Sequence, residues 1–171
     1  MKNDILVGAT LYGKPEQDAV NKVMQEGWLG VGKYTDLFEK KVASFVGHKY
    51  GIATNSGSSA LLLAVQALNL PKGSKVIVCA AGFPATVAPI LHAGLVPVFV
   101  DAEMTSYSID PIEIEEALVG ALIMFEDGKK DPIRAIVFAH TVGNVANMEE
   151  IMELAKEWNI PVIEDICDAL G

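Results

Sequence analysis

Gly51-Ile52-Ala53-Thr54-Asn55-Ser56-Gly57-Ser58-Ser59-Ala60-Leu61-Leu62-Leu63 reads as a short apolar strand running into a glycine turn and then a helix whose first turn is rich in hydroxyls. The first N–H groups of a helix lack partners inside it and the helix dipole is positive there. Such a turn can therefore hold a phosphate without Lys or Arg. Gly57 lets backbone approach closely, and Ser58 and Ser59 add O–H donors. Taken alone, the segment is equally well read as an ordinary Ser-capped helix.

From Tyr50 onward, short apolar runs alternate with amphipathic stretches, the pattern of repeated βαβ units. The expected strands are Tyr50–Thr54, Lys75–Cys79, Val96–Asp101, Ala135–Ala139 and Val162–Glu164. The fold class is therefore α/β, a mostly parallel sheet flanked by helices. Two intervening helices open on recognisable caps, Asp110-Pro111 with Glu113 and Asn147 with Glu150. Glu126 to Asp131 reads as a solvated loop before the strand led by Ile133. Upstream, residues 1–48 form an expected N-terminal helical segment. One helix covers residues 14 to 27, with Val20, Val23 and Met24 on one face and Gly27 as its stop. A Gly-rich loop through Gly32 follows, then a second helix from about Tyr34 to Val46. Residues 49–171 then form the sheet-bearing domain.

The 171 residues carry 22 acidic against 13 basic side chains, a net charge of -9, which argues against nucleic acid or an anionic membrane as partner. Half of the chain is hydrophobic, enough for a sizeable core, and no internal repeat or low-complexity tract interrupts it. Two cysteines, Cys79 and Cys167, lie in apolar strand-like runs, so a reducing cytoplasm is expected and a disulfide is not. No signal-like segment and no apolar run of the roughly 20 residues that span a bilayer is present, and a soluble cytoplasmic protein is the expectation.

Two further elements fall at expected strand ends. Pro161-Val162-Ile163-Glu164-Asp165 closes a buried strand on an acidic pair, and ligands of open parallel sheets sit at the carboxyl ends of strands. A carboxylate there can pair with a protonated pyridine nitrogen and keep the ring an electron sink. Asp165 is the candidate, with Asp168 as a second polar contact near the ring hydroxyl. Alone, such a pair serves more often as a metal site or a helix cap. Ala80-Ala81-Gly82-Phe83-Pro84-Ala85-Thr86 places an aromatic ring at the same sheet edge, to stack on a flat cofactor or to pack as a core residue with Pro84 opening a helix. A doubly wound nucleotide-binding domain is a weaker reading, because the turn lacks the G-x-G-x-x-G spacing.

The order Gly30-x-Gly32, Phe38-Glu39, Ser56-Gly57-Ser58-Ser59-Ala60-Leu61, Phe83-Pro84-Ala85-Thr86, His140-x-x-Gly143 and Glu164-Asp165-x-x-Asp168-Ala169 resembles the DegT-type sugar aminotransferases. The resemblance implies part of the large domain of a fold-type I enzyme that uses pyridoxal 5'-phosphate on nucleotide-linked keto-sugars, and a homodimer. It also implies that Gly57 and Ser58 hold the phosphate, Phe83 stacks on the ring and Asp165 binds the pyridine nitrogen. Asp168 stands where the family usually has His or Gln.

Gly27-Trp28-Leu29, Ala80 to Pro84, Ala139 to Asn144 and Glu164 to Gly171 are similar in particular to the CDP-4-keto-6-deoxyglucose-3-dehydrase group. Its members remove a sugar hydroxyl, use pyridoxamine 5'-phosphate, replace the usual Schiff-base lysine by histidine and bind a two-iron two-sulfur cluster through four cysteines. Cys167 matches the first of those ligands. A small buried side chain at a strand end is the competing reading, and one cysteine cannot hold a cluster.

By the same resemblance the catalytic Lys or His lies downstream of the Glu164-Asp165 strand. The expectation is thus an N-terminal part of an enzyme of cell-surface polysaccharide sugar biosynthesis, with no catalytic residue of its own. Dehydration at C3 is the first reading and amino transfer the second. A reading of another class is a non-catalytic fragment that binds cofactor or dimerises. His140 is expected to be a structural contact at a strand end, and His48 and His92 surface or packing residues.

Overall fold

The computed structural model describes residues 11–123 and 132–170. The expected loop from Glu126 to Asp131 lies outside them. The chain divides into two compact units, Met1–Ala53 and Thr54–Gly171.

In the first unit, α1 (Lys14–Glu26) ends where Gly27 turns left-handed at φ 75°, its N–H returning to Val23 and Met24 carbonyls. That conformation suits glycine, which carries no Cβ to clash. Helix α2 (Lys33–Phe45) follows and buries Ala43. The strand expected at Tyr50–Thr54 does not form; residues 51–54 are irregular. Instead of joining a ladder, the Ala53 N–H donates to Glu39 Oε1 at 2.8 Å. Gly51 lies so close to α2 that an added Cβ would come within 2.5 Å of the Glu39 carbonyl oxygen. The local apolar pattern was compatible with a strand, but a strand needs a partner for its backbone groups, and a side chain took that role.

The second unit is a four-stranded sheet in the order β2-β1-β3-β4, every pair parallel. The strands are β1 (Lys75–Cys79), β2 (Val96–Val100), β3 (Ile133–Ala139) and β4 (Val162–Asp165). Side chains alternate across the pleat, so one face of the sheet carries Val76, Val78, Ala135 and Val137 and the other Ile77, Cys79, Ile136 and Phe138. Helices α3 (Gly57–Ala67) and α4 (Pro84–His92) cover the first face through Val65 and Ile90. Helices α5 (Pro111–Ile123) and α6 (Met148–Glu157) cover the second through Ile114, Leu118 and Ile151. Each such fully buried aliphatic side chain contributes about 1.5–3 kcal/mol, which is what fixes the strand ends in place.

The expected caps of α5 and α6 form with one direction each. Asp110 Oδ1 accepts from the Ile112 N–H at 2.9 Å, and Asn147 Oδ1 accepts from the Glu150 N–H at 3.4 Å. After β1 the chain crosses to β2 on one side and then to β3 on the other. The order therefore reverses between β1 and β3, where open parallel sheets bind ligands at their carboxyl edge. Among the described residues, no helix is long and apolar enough to cross a membrane.

Candidate functional site

A cleft of 580 Å³ opens at that carboxyl edge, and Gly57, Ser58, Phe83, Asp165, Cys167 and Asp168 all line it. The residues singled out in the sequence, scattered over more than 100 positions, thus share one cavity.

Beside the cleft residues Gly57 and Ser58, Ser56 caps α3 from an extended backbone, its Oγ accepting the Ser59 N–H at 3.2 Å. This cap uses the third donor of the helix. It leaves the N–H groups of Gly57 and Ser58 without a partner among the described residues, both on an exposed turn. A Cβ on Gly57 would stand 2.9 Å from Cys167 Sγ, so a larger residue there would displace the Cys167 side chain.

Asp165, also on the cleft wall, closes β4 and is only 8% exposed. Its Oδ2 accepts from the Thr86 hydroxyl at 2.9 Å, and its Oδ1 accepts from the Cys167 N–H at 3.1 Å. Among the described residues no Lys, Arg or His pairs with it. A buried carboxylate normally has a cationic partner. Here the free side of the group faces a cleft large enough to admit one. The Cys167 thiol is held above its ordinary pKa, first by its hydrogen bond to Asp165, then by burial and by the charges of Asp165 and Asp168.

Phe83 is the N-cap residue of α4 and 74% exposed, so its ring is an available wall of the cleft and not a core residue. His140 also lines the cleft but is buried. Its Nδ1 accepts from the Ala146 N–H at 3.1 Å, which puts the ring proton on Nε2, 3.1 Å from Glu164 Oε2. With both nitrogens engaged and its ring edge-on to Phe138, His140 is a structural contact at the strand end. Gly143, at φ 82°, lets the following turn pass the Asp168 carbonyl, which a Cβ would approach to 3.0 Å.

Two features carried no assigned role in the sequence. Thr86, hydrogen-bonded to Asp165 of the cleft wall, is the sole hydroxyl residue of α4, whose other residues before His92 are apolar, and that isolation is the signal that could have marked it. Thr141 lines the cleft, with a buried hydroxyl oxygen that has no hydrogen-bond partner among the described residues.

These residues fit a small ligand with an anionic group and a cationic ring, because backbone donors without a partner among the described residues, a buried carboxylate and an exposed aromatic ring line the same cleft. They do not compose a metal cluster by themselves. Among the described residues, no group of three or more His, Cys, Asp or Glu is arranged to hold a metal.

The chain belongs to the DegT/DnrJ/EryC1/StrS aminotransferase family, whose pattern matches residues 11–171. It is 41% identical over 169 residues to the lipopolysaccharide biosynthesis protein RfbH of Salmonella typhimurium, an alignment covering 94% of this chain and 36% of that protein. It is 42% identical over 151 residues to the dTDP-4-dehydro-2,6-dideoxy-D-glucose 3-dehydratase of Saccharopolyspora spinosa, covering 84% of this chain and 30% of the relative. The structure superposes with a TM-score of 0.83 on an E. coli GDP-4-keto-6-deoxy-D-mannose-3-dehydratase with bound hydrated PLP, at 27% identity, covering 96% of this chain and 41% of that one. The chain thus spans about a third of the length of the curated relatives it matches.

Proposed function

We propose that the cleft binds pyridoxal or pyridoxamine 5'-phosphate, and that the complete protein removes the C3 hydroxyl of a nucleotide-linked 4-keto-deoxysugar in cell-surface polysaccharide synthesis. The observation that carries the cofactor assignment is the presence, on one cavity wall, of the Gly57 and Ser58 N–H groups and of the buried Asp165 carboxylate, which has no cationic partner among the described residues. When bound, the cofactor supplies a cationic ring that takes up electrons from an adjacent carbon.

The chain's own residues have separate tasks in this reading. Gly57 and Ser58 hold the phosphate through the helix N-terminus. Phe83 packs on the flat face, and Asp165 keeps the ring nitrogen protonated. Asp168, on the cleft wall, contacts the ring hydroxyl. The group that moves the substrate proton is, in this reading, the Lys or His that the family resemblance places downstream of the Glu164-Asp165 strand. Cys167 would enter a cluster only in company with other cysteines. A homodimer is part of the same reading.

Dehydration is favoured by the 3-dehydratases among the similar proteins. Amino transfer is the second reading, favoured by the name of the family itself. Titrating the purified protein with pyridoxamine phosphate tests the cofactor assignment, and saturable one-to-one binding is expected. Incubating the complete protein with a nucleotide-linked 4-keto-6-deoxysugar separates the reactions by mass. With pyridoxamine phosphate supplied as the two-electron donor, a keto-sugar product lighter by one oxygen supports loss of the C3 hydroxyl, and an amino-sugar supports transamination.

A further inference from the structure

We infer that Thr86 is a positioning residue that aims the Asp165 carboxylate at the cofactor ring, an inference that rests on the cofactor assignment above. The two residues are 79 positions apart, on α4 and β4, and both are buried, Thr86 to 3% and Asp165 to 8% exposure. A hydroxyl has a single proton to donate, and Thr86 spends it on Asp165 Oδ2 at 2.9 Å. With Cys167 N–H on Oδ1, the plane of the carboxylate is set by two donors from two different segments.

Thr86 stands three residues after Phe83, and its N–H donates to the Phe83 carbonyl at 3.0 Å. One helical turn therefore carries both the exposed ring and the donor that orients the carboxylate. Pro84 at the first helical position fixes the backbone entry of this turn. Threonine is suited to the task because branching at Cβ restricts its χ1, so the hydroxyl stays aimed. A shift of this turn would move the stacking face and the nitrogen partner together, which keeps the two contacts in register.

The test uses pyridoxamine phosphate labelled with ¹⁵N in the ring. Binding is measured by calorimetry, and ring protonation by the nitrogen chemical shift across pH, on wild type, Thr86→Val and Thr86→Ser. Valine keeps the volume and removes the donor. Thr86→Val is expected to bind about 10-fold more weakly and to lose ring protonation at lower pH than wild type, while Thr86→Ser returns both to near wild type. Unchanged affinity and unchanged ring protonation in Thr86→Val, with only a lower melting temperature, would overturn the inference and leave the cofactor assignment standing. Equal losses in the valine and serine variants would overturn it too. No binding by the wild type removes the cofactor assignment and this inference together.

Discussion

Two parts of the cleft wall are built from different materials. At the α3 end the donors are backbone N–H groups on an exposed turn, and the side chains there only supplement them. At β4 the acceptor is a side chain, buried and held by the Thr86 hydroxyl from α4 and by the amide two residues further on. A backbone-built site tolerates side-chain truncation but not a clash, because the helix supplies the donors whatever the residue. A side-chain-built site is lost with its side chain. The difference predicts an unequal response to mutation.

The largest effect is expected at Asp165. Asp165→Asn removes the charge that would face a protonated ring, and affinity for pyridoxamine phosphate should fall about 100-fold, since charge-assisted bonds are roughly twice as strong as neutral ones. Inorganic phosphate binding, competed at the α3 end, should be unaffected. A parallel loss of phosphate binding would break the division into two ends.

Gly57→Ala should come next, with cofactor affinity down about 10-fold, because the new methyl meets Cys167 Sγ at 2.9 Å and overpacking costs about 1–3 kcal/mol. The loss should disappear in the Gly57→Ala, Cys167→Ala double variant. If the double variant binds as weakly as the single one, close passage of Cys167 is not why position 57 is glycine.

The thiol itself gives a pH prediction. Its pKa is raised, so at a given pH near neutrality less thiolate is present, and alkylation of Cys167 should be several-fold slower than for an ordinary exposed thiol. Asp165→Asn removes the leading cause, which should move the rate–pH profile toward lower pH. An unchanged profile, read by mass spectrometry of the Cys167 peptide, would detach the thiol from Asp165. The smallest effect belongs to Ser58→Ala, about 3-fold or less in cofactor affinity, since the backbone donor stays in place.

Much of this arrangement is legible in the sequence because it is local. Gly57, Ser58, Phe83 and Asp165 each sit where a strand or turn meets a helix or loop, and the parallel sheet brings strand ends to one edge. β1 has the bounds that its apolar run implies, and the other three strands differ only at their ends. What is not legible is pairing at a distance. The sequence around Ile52 carries a strand-like pattern, yet whether its amides find a neighbouring strand or the Glu39 carboxylate depends on where α2 packs. Thr86 is hidden for the same reason: within an apolar helix it passes for a core residue, and only the approach of β4 from 79 positions away gives its hydroxyl a purpose.

The most direct test is a structure of the protein with pyridoxamine phosphate bound. The phosphate is expected against the Gly57 and Ser58 N–H groups, the ring against Phe83 and the ring nitrogen within hydrogen-bond distance of Asp165. A phosphate bound elsewhere, or a ring nitrogen turned away from Asp165, would contradict the division of the cleft into an anion end and a carboxylate end.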